Sequence, residues 1–323
     1  MKLPFRFIIL MAFAVFVSLF SGCDHKELCF DHSHVSRINV LFDWSASPEA
    51  SPESMSLYLF PQNGGKPLRY EFSGAEGGTI KVPNGVYDAI CLNSDTEGIR
   101  YRHTEKFSTF EITTADTGTT AFLSGRKGIA QTTARARQTR ERMAVEPDML
   151  WCGRLRDIRV DDMTAPATVI LYPEKSVRTY TVEIRNADNL RHVSQISGSI
   201  SAMAGGILAG QGSLVLTREL VTIPFLMNIN QDLGLVTGRT KSFGHCPSAI
   251  NNHILTVYAL MDDGSKWYYT IDITPHLHQD PGSGKDETHV ILDRLPIPDP
   301  GSEGGGFITD VDGWHQIDED LKM

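Results

Sequence analysis

The chain has 323 residues, with 30 Lys and Arg against 39 Asp and Glu, giving a formal net charge of −9 at pH 7. A chain this acidic repels phosphate backbones, which argues against nucleic acid as a partner. With 41% hydrophobic residues it can bury substantial cores, and its composition is not that of a disordered polymer.

Residues 1–23 read MKLPFRFIILMAFAVFVSLFSGC. Lys2 and Arg6 form a basic start, and Phe7 to Phe20 is apolar except for Ser18. That run of about 14 residues falls short of the ~20 a spanning helix requires. Ser21 and Gly22 then supply the small residues that precede signal-peptidase cleavage, and Cys23 follows at once. The pattern predicts a lipoprotein signal peptide over 1–22. It also predicts a membrane anchor of acyl chains such as palmitate on Cys23. Cleavage removes two of the 30 basic residues and none of the 39 acidic ones, moving the net charge to −11. The remaining length suits two domains of ordinary size.

Residues 23–36 are polar and rich in histidine, as a tether from lipid to folded domain should be. From Ile38 the period becomes two, with Ile38, Val40, Phe42 and Trp44 on one face. Ser54–Phe60 reads as a second strand, closed by Pro61 and the Asn63-Gly64-Gly65 turn. Leu68–Phe72, Thr79–Val82, Val86–Leu92 and Phe107–Thr113 continue the series, and Pro83-Asn84-Gly85 marks a tight turn. Residues 124–147 break the rhythm with Arg126, Lys127, Arg135, Arg137, Arg140 and Arg142, and read as a long surface loop. Met149–Val160 closes the first domain or starts the crossing to the second. Strands resume at Thr168–Tyr172 and Val177–Ile184. Ile196–Val215 is apolar but carries five glycines, so two strands broken by a glycine-rich turn or a short helical turn fit it better than a membrane helix. Val221–Ile229, Ile254–Met261, Trp267–Ile273 and His289–Leu292 complete the set. Pro296 to Gly306 is a flexible linker before a polar tail. Short strands at intervals of about ten residues, with no amphipathic helix between them, predict an all-β chain of two tandem immunoglobulin-like β-sandwiches. The boundaries expected are 37–160 and 161–295, followed by the linker and tail, 296–323.

Several runs together resemble a known group. These are the lipidated Cys23 with Asp24-His25-Lys26-Glu27-Leu28-Cys29 and Asp31-His32-Ser33-His34, then Phe42-Asp43-Trp44 and Ser56-Leu57-Tyr58-Leu59-Phe60-Pro61. Cys91-Leu92-Asn93-Ser94-Asp95, Met149-Leu150-Trp151 and the Gly304-Gly305-Gly306-Phe307 tail ending at Trp314 complete the match. The chain resembles a family of Bacteroidetes lipoproteins that is similar to fimbrillin-type subunits and fimbrial anchor proteins. The resemblance spans essentially the whole mature chain. It implies two transthyretin-like sandwiches, an outer-membrane lipid anchor displayed at the cell surface, and a role in surface appendages. It carries over no catalytic residues. Fimbrillin precursors are usually trimmed by an arginine-specific protease after their first strand. Here Arg37 precedes that strand and the arginine cluster sits mid-chain, so the resemblance fits an anchor or accessory subunit.

Candidate chemistry is sparse, and no cofactor is expected. His25, Cys29, His32 and His34 are of zinc-ligand type, but no matching motif follows, and a solvated tether is the plainer reading. His276 and His278, with His289 nearby, fit exposed loop histidines better than a metal site. Asp310-Val311-Asp312-Gly313 opens like a calcium loop without its closing glutamate. Gly282-Ser283-Gly284-Lys285 lacks the rest of a phosphate loop. There is no Gly-x-Ser-x-Gly elbow, His-Glu-x-x-His helix or Gly-x-Gly-x-x-Gly turn, so an enzyme is not expected. Cys29, Cys91, Cys152 and Cys246 allow three pairings that sequence does not choose between, and wide, irregular spacing favours unpaired buried thiols.

Arg135, Arg137, Arg140 and Arg142 are the candidates for a protease-sensitive loop, against a plain solvated insertion. Phe307, Ile308, Val311 and Trp314 lie in a tail that could be donated to a neighbour or cover its own sheet. The leading expectation is a lipid-anchored structural and adhesion protein of a fimbria-like assembly, with fimbrillin-like subunits as partners. The alternative is a stand-alone module for glycan or host protein, for which Trp267, Tyr268 and Tyr269 could stack on sugars, though core or interface packing explains them equally well.

Overall fold

A computed structural model describes residues 34–117, 141–161, 167–215, 219–245, 252–278 and 287–299, and the backbone of 314–317. The all-β expectation holds. In the first half the strands are β1 (Val35–Phe42), β2 (Ser54–Pro61), β3 (Leu68–Ser73), β4 (Gly77–Pro83), β5 (Gly85–Asn93), β6 (Ile99–Arg102), β7 (Glu111–Thr114), β8 (Arg142–Met143), β9 (Trp151–Val160), β10 (Ala167–Leu171) and β11 (Glu174–Lys175). The second half contributes β12 (Arg178–Ala187), β13 (Val193–Ala204), β14 (Gly206–Leu208), β15 (Ser213–Leu214), β16 (Leu220–Asn230), β17 (Leu235–Ser242), β18 (Ile254–Met261) and β19 (Lys266–Asp272). A short helix α1 (Thr274–His278), then β20 (Glu287–Leu295) and β21 (Trp314–Ile317) follow.

The first sandwich packs the three-stranded sheet β10-β1-β4 on the five-stranded sheet β11-β9-β5-β2-β3. The period-two pattern of β1 does what it predicts: Ile38, Val40 and Phe42 face inward against Met55, Leu57, Leu59, Ala89 and Cys91. β2 has no such alternation, and Met55 to Phe60 are all buried. A strand covered on both faces loses its polar side, so its sequence becomes a continuous apolar run. Tyr58 and Phe60 on β2, Ile90 and Leu92 on β5, and Cys152 on β9 point away from the first core, into a second one. Burying side chains of this size contributes about 1.5–3 kcal/mol each, so the outer face of the five-stranded sheet demands a cover.

That cover is a third layer, the four-stranded sheet β15-β14-β7-β6, with two strands from each half of the chain. β14 pairs with β7 in antiparallel register, Gly206 opposite Thr113 and Leu208 opposite Glu111. Thr113 Oγ1 donates to the carbonyl of Gly205 at 2.7 Å, fully buried. Phe110 and Ile112 from one half meet Ile207, Ala209 and Phe243 from the other. Here Gly206 and Gly210 find their reason. A Cβ on Gly206 would sit 2.4 Å from the Ile112 carbonyl oxygen, and one on Gly210 2.1 Å from that of Phe107. The two backbones approach too closely for any side chain.

The second sandwich has one strand in both layers. β16 pairs with β13 through Ser197↔Leu226 to Ala204↔Leu220, then with β17 through Met227↔Gly238 to Asn230↔Leu235. Its core includes the fully buried Tyr180, with Val182, Ile184, Val257 and Tyr269. β12 runs parallel to β20 and antiparallel to β17.

The boundary at 160/161 needs correction. β10, expected to open the second domain, returns to the first and pairs in parallel with β1, Ile38 opposite Ala167 and Phe42 opposite Leu171. β11 pairs with β9, and β8 reaches forward to pair in parallel with β16. Pairing between strands more than 120 positions apart leaves no trace in local periodicity.

Gly206→Ala and Gly210→Ala should each lower the unfolding free energy by about 2 kcal/mol or more, because backbone rather than a movable side chain blocks the new methyl. Gly78→Ala, whose Cβ would meet only the Phe72 ring at 3.5 Å, is the control and should stay within about 1 kcal/mol of the parent in urea denaturation.

Candidate functional site

Many residues singled out in the sequence lie outside the described residues: Cys23, Cys29, Cys246, His25, His32, Arg135, Arg137, Arg140, Phe307, Ile308, Val311, and the 282–285 and 310–313 runs. Cys91 and Cys152 are described, buried and free, as unpaired thiols should be. They occupy neighbouring strands, Leu92 opposite Cys152, but serve the cores on opposite faces of the sheet. Burial pushes the Cys152 thiol up to about 12 and the Cys91 thiol higher still, which makes both poor nucleophiles.

Two sheet edges bear on assembly. At one, the backbone of β21 lies parallel to β19, Lys266 opposite Trp314 and Tyr269 opposite Ile317. Trp314 thus belongs to a segment that covers the chain's own sheet. Trp267, Tyr268 and Tyr269 do not present stacking surfaces. They are 8%, 2% and 2% exposed, Trp267 and Tyr269 in the second core and Tyr268 beside Tyr258. Their alternation on β19 puts aromatic bulk on both faces, and both faces are covered. At the other edge, β10 is the last strand of its sheet. Its outer face carries Ile170 directly opposite Leu41, both more than a third exposed, with Tyr172 half exposed just beyond. This is an apolar patch beside a row of backbone groups able to accept another strand.

At one end of the second sandwich three histidines converge from separate segments. His245 follows β17, His253 precedes β18, and His278 ends α1. Their ring centroids lie 5.6 Å (His245–His253), 5.3 Å (His253–His278) and 5.8 Å (His245–His278) apart. Burial, then the neighbouring His253, lowers the pKa of His245 to about 4, and burial also lowers that of His253. The expectation of exposed loop histidines is therefore wrong for His278. His289 has an exposed ring, 3.8 Å from Glu287, but it sits on strand β20 rather than in a loop. Sequence could show His276 and His278 only as a pair; it could not bring 245 and 253 beside them.

A family model described as "Domain of unknown function (DUF5119)" matches residues 22–226 of this chain. The chain belongs to that family. It is also 23% identical, over 92% of its own length and 92% of the other's, to a Bacteroides ovatus protein that carries the provisional name fimbrium anchoring subunit Fim4B. Among solved structures it is similar to a Bacteroides ovatus protein provisionally described as an adhesin, with TM-score 0.61 and 22% identity, covering 86% of this chain and 99% of that one. The fimbrial anchor protein Mfa2 from Porphyromonas gingivalis is similar in fold, with TM-score 0.51 and 11% identity over 80% and 91% of the two chains. The DUF5119 match ends within β16, so it takes in the first sandwich and the shared third layer.

Within that matched span Arg142 departs from the loop expected of it. It lies in β8 with its side chain largely buried, and Nε bonds Glu219 Oε1 at 2.8 Å. Its terminal nitrogens donate to the Thr114 carbonyl at 2.9 Å, Asp116 at 2.8 Å and Thr113 Oγ1 at 3.0 Å. Arg102 holds the other Glu219 oxygen at 2.7 Å. Glu141 accepts from Ala202 N and Thr222 Oγ1, and Glu146 from Lys241 N and Thr240 Oγ1. Residues 141–146 are a clasp between the halves. An arginine-specific protease should leave the bond after Arg142 uncut in the native protein, as mass spectrometry of a limited digest would show. Arg142→Ala should cost about 2 kcal/mol, because Thr113, Thr114 and Glu219 lose a charged partner. Removing the exposed Arg185, paired among the described residues with Glu183, should cost under about 0.5 kcal/mol.

Proposed function

We propose that this DUF5119 chain is a lipid-anchored structural and adhesion protein of the cell surface, an anchor or accessory subunit of a fimbria-like assembly, rather than an enzyme. The observation that carries this reading is the similarity to Fim4B across 92% of both chains. The likeness in fold to Mfa2 supports it. The signal sequence ending at Cys23 supports anchoring by acyl chains in the outer membrane, and the described residues contain no helix long and apolar enough to cross one. With Trp267, Tyr268 and Tyr269 buried, the glycan-stacking alternative loses the residues that motivated it.

Strand addition is the physical route to assembly. β10 offers an open edge flanked by Leu41, Ile170 and Tyr172, and we assign partner docking to that face. The tail, paired with its own β19, acts as a cover against unspecific edge-to-edge contact. The arginine-rich stretch before Arg142 remains the site at which we expect a surface protease to act.

Gentle extraction of the native protein from outer membranes, followed by unheated gel electrophoresis and mass spectrometry, tests the reading. A detergent-resistant ladder containing fimbrillin-like subunits is the expected result. It should persist when residues 301–323 are deleted and collapse when Ile170 and Tyr172 are both replaced by Lys. A single band with no partner would overturn the assignment, and loss of the ladder on deletion would make the tail the joining segment.

A further inference from the structure

The three histidines at the end of the second sandwich have no part in the assembly reading, and two of them are held as neutral rings. Tyr180 is fully buried, and its hydroxyl lies 2.8 Å from His245 Nδ1. Among the described residues that nitrogen is the partner of the hydroxyl, so the phenol hydrogen lies on this bond and Nδ1 accepts it. His245 also meets the Leu277 backbone, a contact that favours a proton on the ring but weighs less than burial. His253 is fully buried, with Nδ1 facing the Ser201 carbonyl at 3.4 Å and Nε2 buried without a partner among the described residues. A carbonyl only accepts, so the ring hydrogen of His253 sits on Nδ1. His278 stacks on His245 at 5.8 Å between centroids and meets His253 edge-on at 5.3 Å. The surrounding charges do not favour a cation here. From β12, Arg178 acts on His245 as a further positive charge. From β19, Asp272 acts on His253, but its oxygens are taken by Asn252 Nδ2 at 2.8 Å and Thr274 N at 2.9 Å. The helix α1 supplies His276 beside His278, and no carboxylate.

The same corner stands where the second sandwich meets the shared layer. Phe243, two positions before His245, and Ala204, three after Ser201, both lie in the core of the third layer. Ala204 N donates to the Gly244 carbonyl at 2.9 Å. The His253 backbone ties in α1, its N–H donating to Thr274 Oγ1 at 2.8 Å and its carbonyl accepting from Ile273 N at 2.9 Å. We propose that this corner is an acid-sensitive joint, which clasps the second sandwich to the shared layer while its rings are neutral and loosens when they take up protons. An imidazolium donates from both nitrogens. Protonated His245 would leave the buried Tyr180 hydrogen without an acceptor, and protonated His253 would carry an N–H on Nε2 with no acceptor before it. Any two charged rings would also repel across centroid separations of only 5.3 to 5.8 Å. Folding holds His245 at a pKa of about 4, against 6.5 for a free ring. The unfolded chain therefore binds more protons in acid, so this stability is whole above pH 6.5 and falls as the pH drops toward 4. Between pH 7.5 and pH 5 that one ring raises the unfolding equilibrium constant about 30-fold. His253, whose pKa burial also lowers, acts in the same direction.

The test compares the full mature chain at pH 7.5 and pH 5. Amide hydrogen exchange, corrected for its intrinsic pH dependence, should quicken about 10-fold or more at residues 241–245, 252–255 and 273–278, while β2 and β5 stay protected. In urea denaturation, the acid-induced rise in the unfolding constant should be about 30-fold smaller in His245→Asn than in the parent. His289→Gln, which alters an exposed ring, should keep the parent's response in full. Histidine-selective NMR of the parent decides the matter if His245→Asn fails to fold. His245 should remain neutral at pH 5 with its hydrogen on Nε2, and His253 should carry its hydrogen on Nδ1. A His245 ring that titrates as a free histidine does would overturn the proposal. So would an acid response equal in parent and His245→Asn, or exchange at the corner that does not change with pH.

Discussion

The arrangement turns on one sheet that is apolar on both faces. β2 and β5 send Met55, Leu57, Leu59, Ala89 and Cys91 to one side, and Tyr58, Phe60, Ile90 and Leu92 to the other. One side is covered within the first sandwich. The other is covered by residues of β6 and β7 only together with β14, which arrives from beyond residue 200 to pair with β7, and β15, which pairs with β14. Aromatic edge-to-face contacts then lock the layers: Tyr58 and Phe60 each meet Phe110, at 4.9 and 6.1 Å between centroids. The two halves are therefore partners in a shared core rather than beads on a string, and the linker-like behaviour usual between domains is not expected here.

That constraint explains features that look local. The glycines at 206 and 210 exist because two backbones must meet without side chains. Arg142 and Glu219 face each other because β8 has to leave the first half and lie on β16. Load passing between the halves meets buried hydrogen bonds and packed rings rather than a flexible hinge. Among the described residues, β10 ends its sheet with Leu41, Ile170 and Tyr172 beside it, whereas β19 is paired at its edge by the backbone of β21.

Much of this was legible in the residues. The period-two face of Ile38, Val40 and Phe42, the all-apolar run of β2 and the turn signals around them predict strands, and strands are what form. Family resemblance, read from Cys23 and the runs that follow, agrees with the DUF5119 match. What could not be read is long-range. β10 looks like the opening of a second domain because parallel pairing with β1 depends on residues more than 120 positions away. β6 and β17 escape attention because Gly98 and Gly238 interrupt or flank short, mixed-polarity stretches. Trp267, Tyr268 and Tyr269 fit a stacking surface or core packing equally in sequence, and the cover on both faces of β19 decides for packing. His245, His253 and His278 become a cluster only when three separate segments end at the same corner.

The most direct measurement is differential scanning calorimetry of the mature chain, comparing the calorimetric enthalpy with the van't Hoff enthalpy. A shared core predicts one transition with a ratio near unity, because neither half can lose the third layer and survive. Two resolved transitions, or a calorimetric enthalpy about twice the van't Hoff value, would show halves that fold independently and would contradict the shared core.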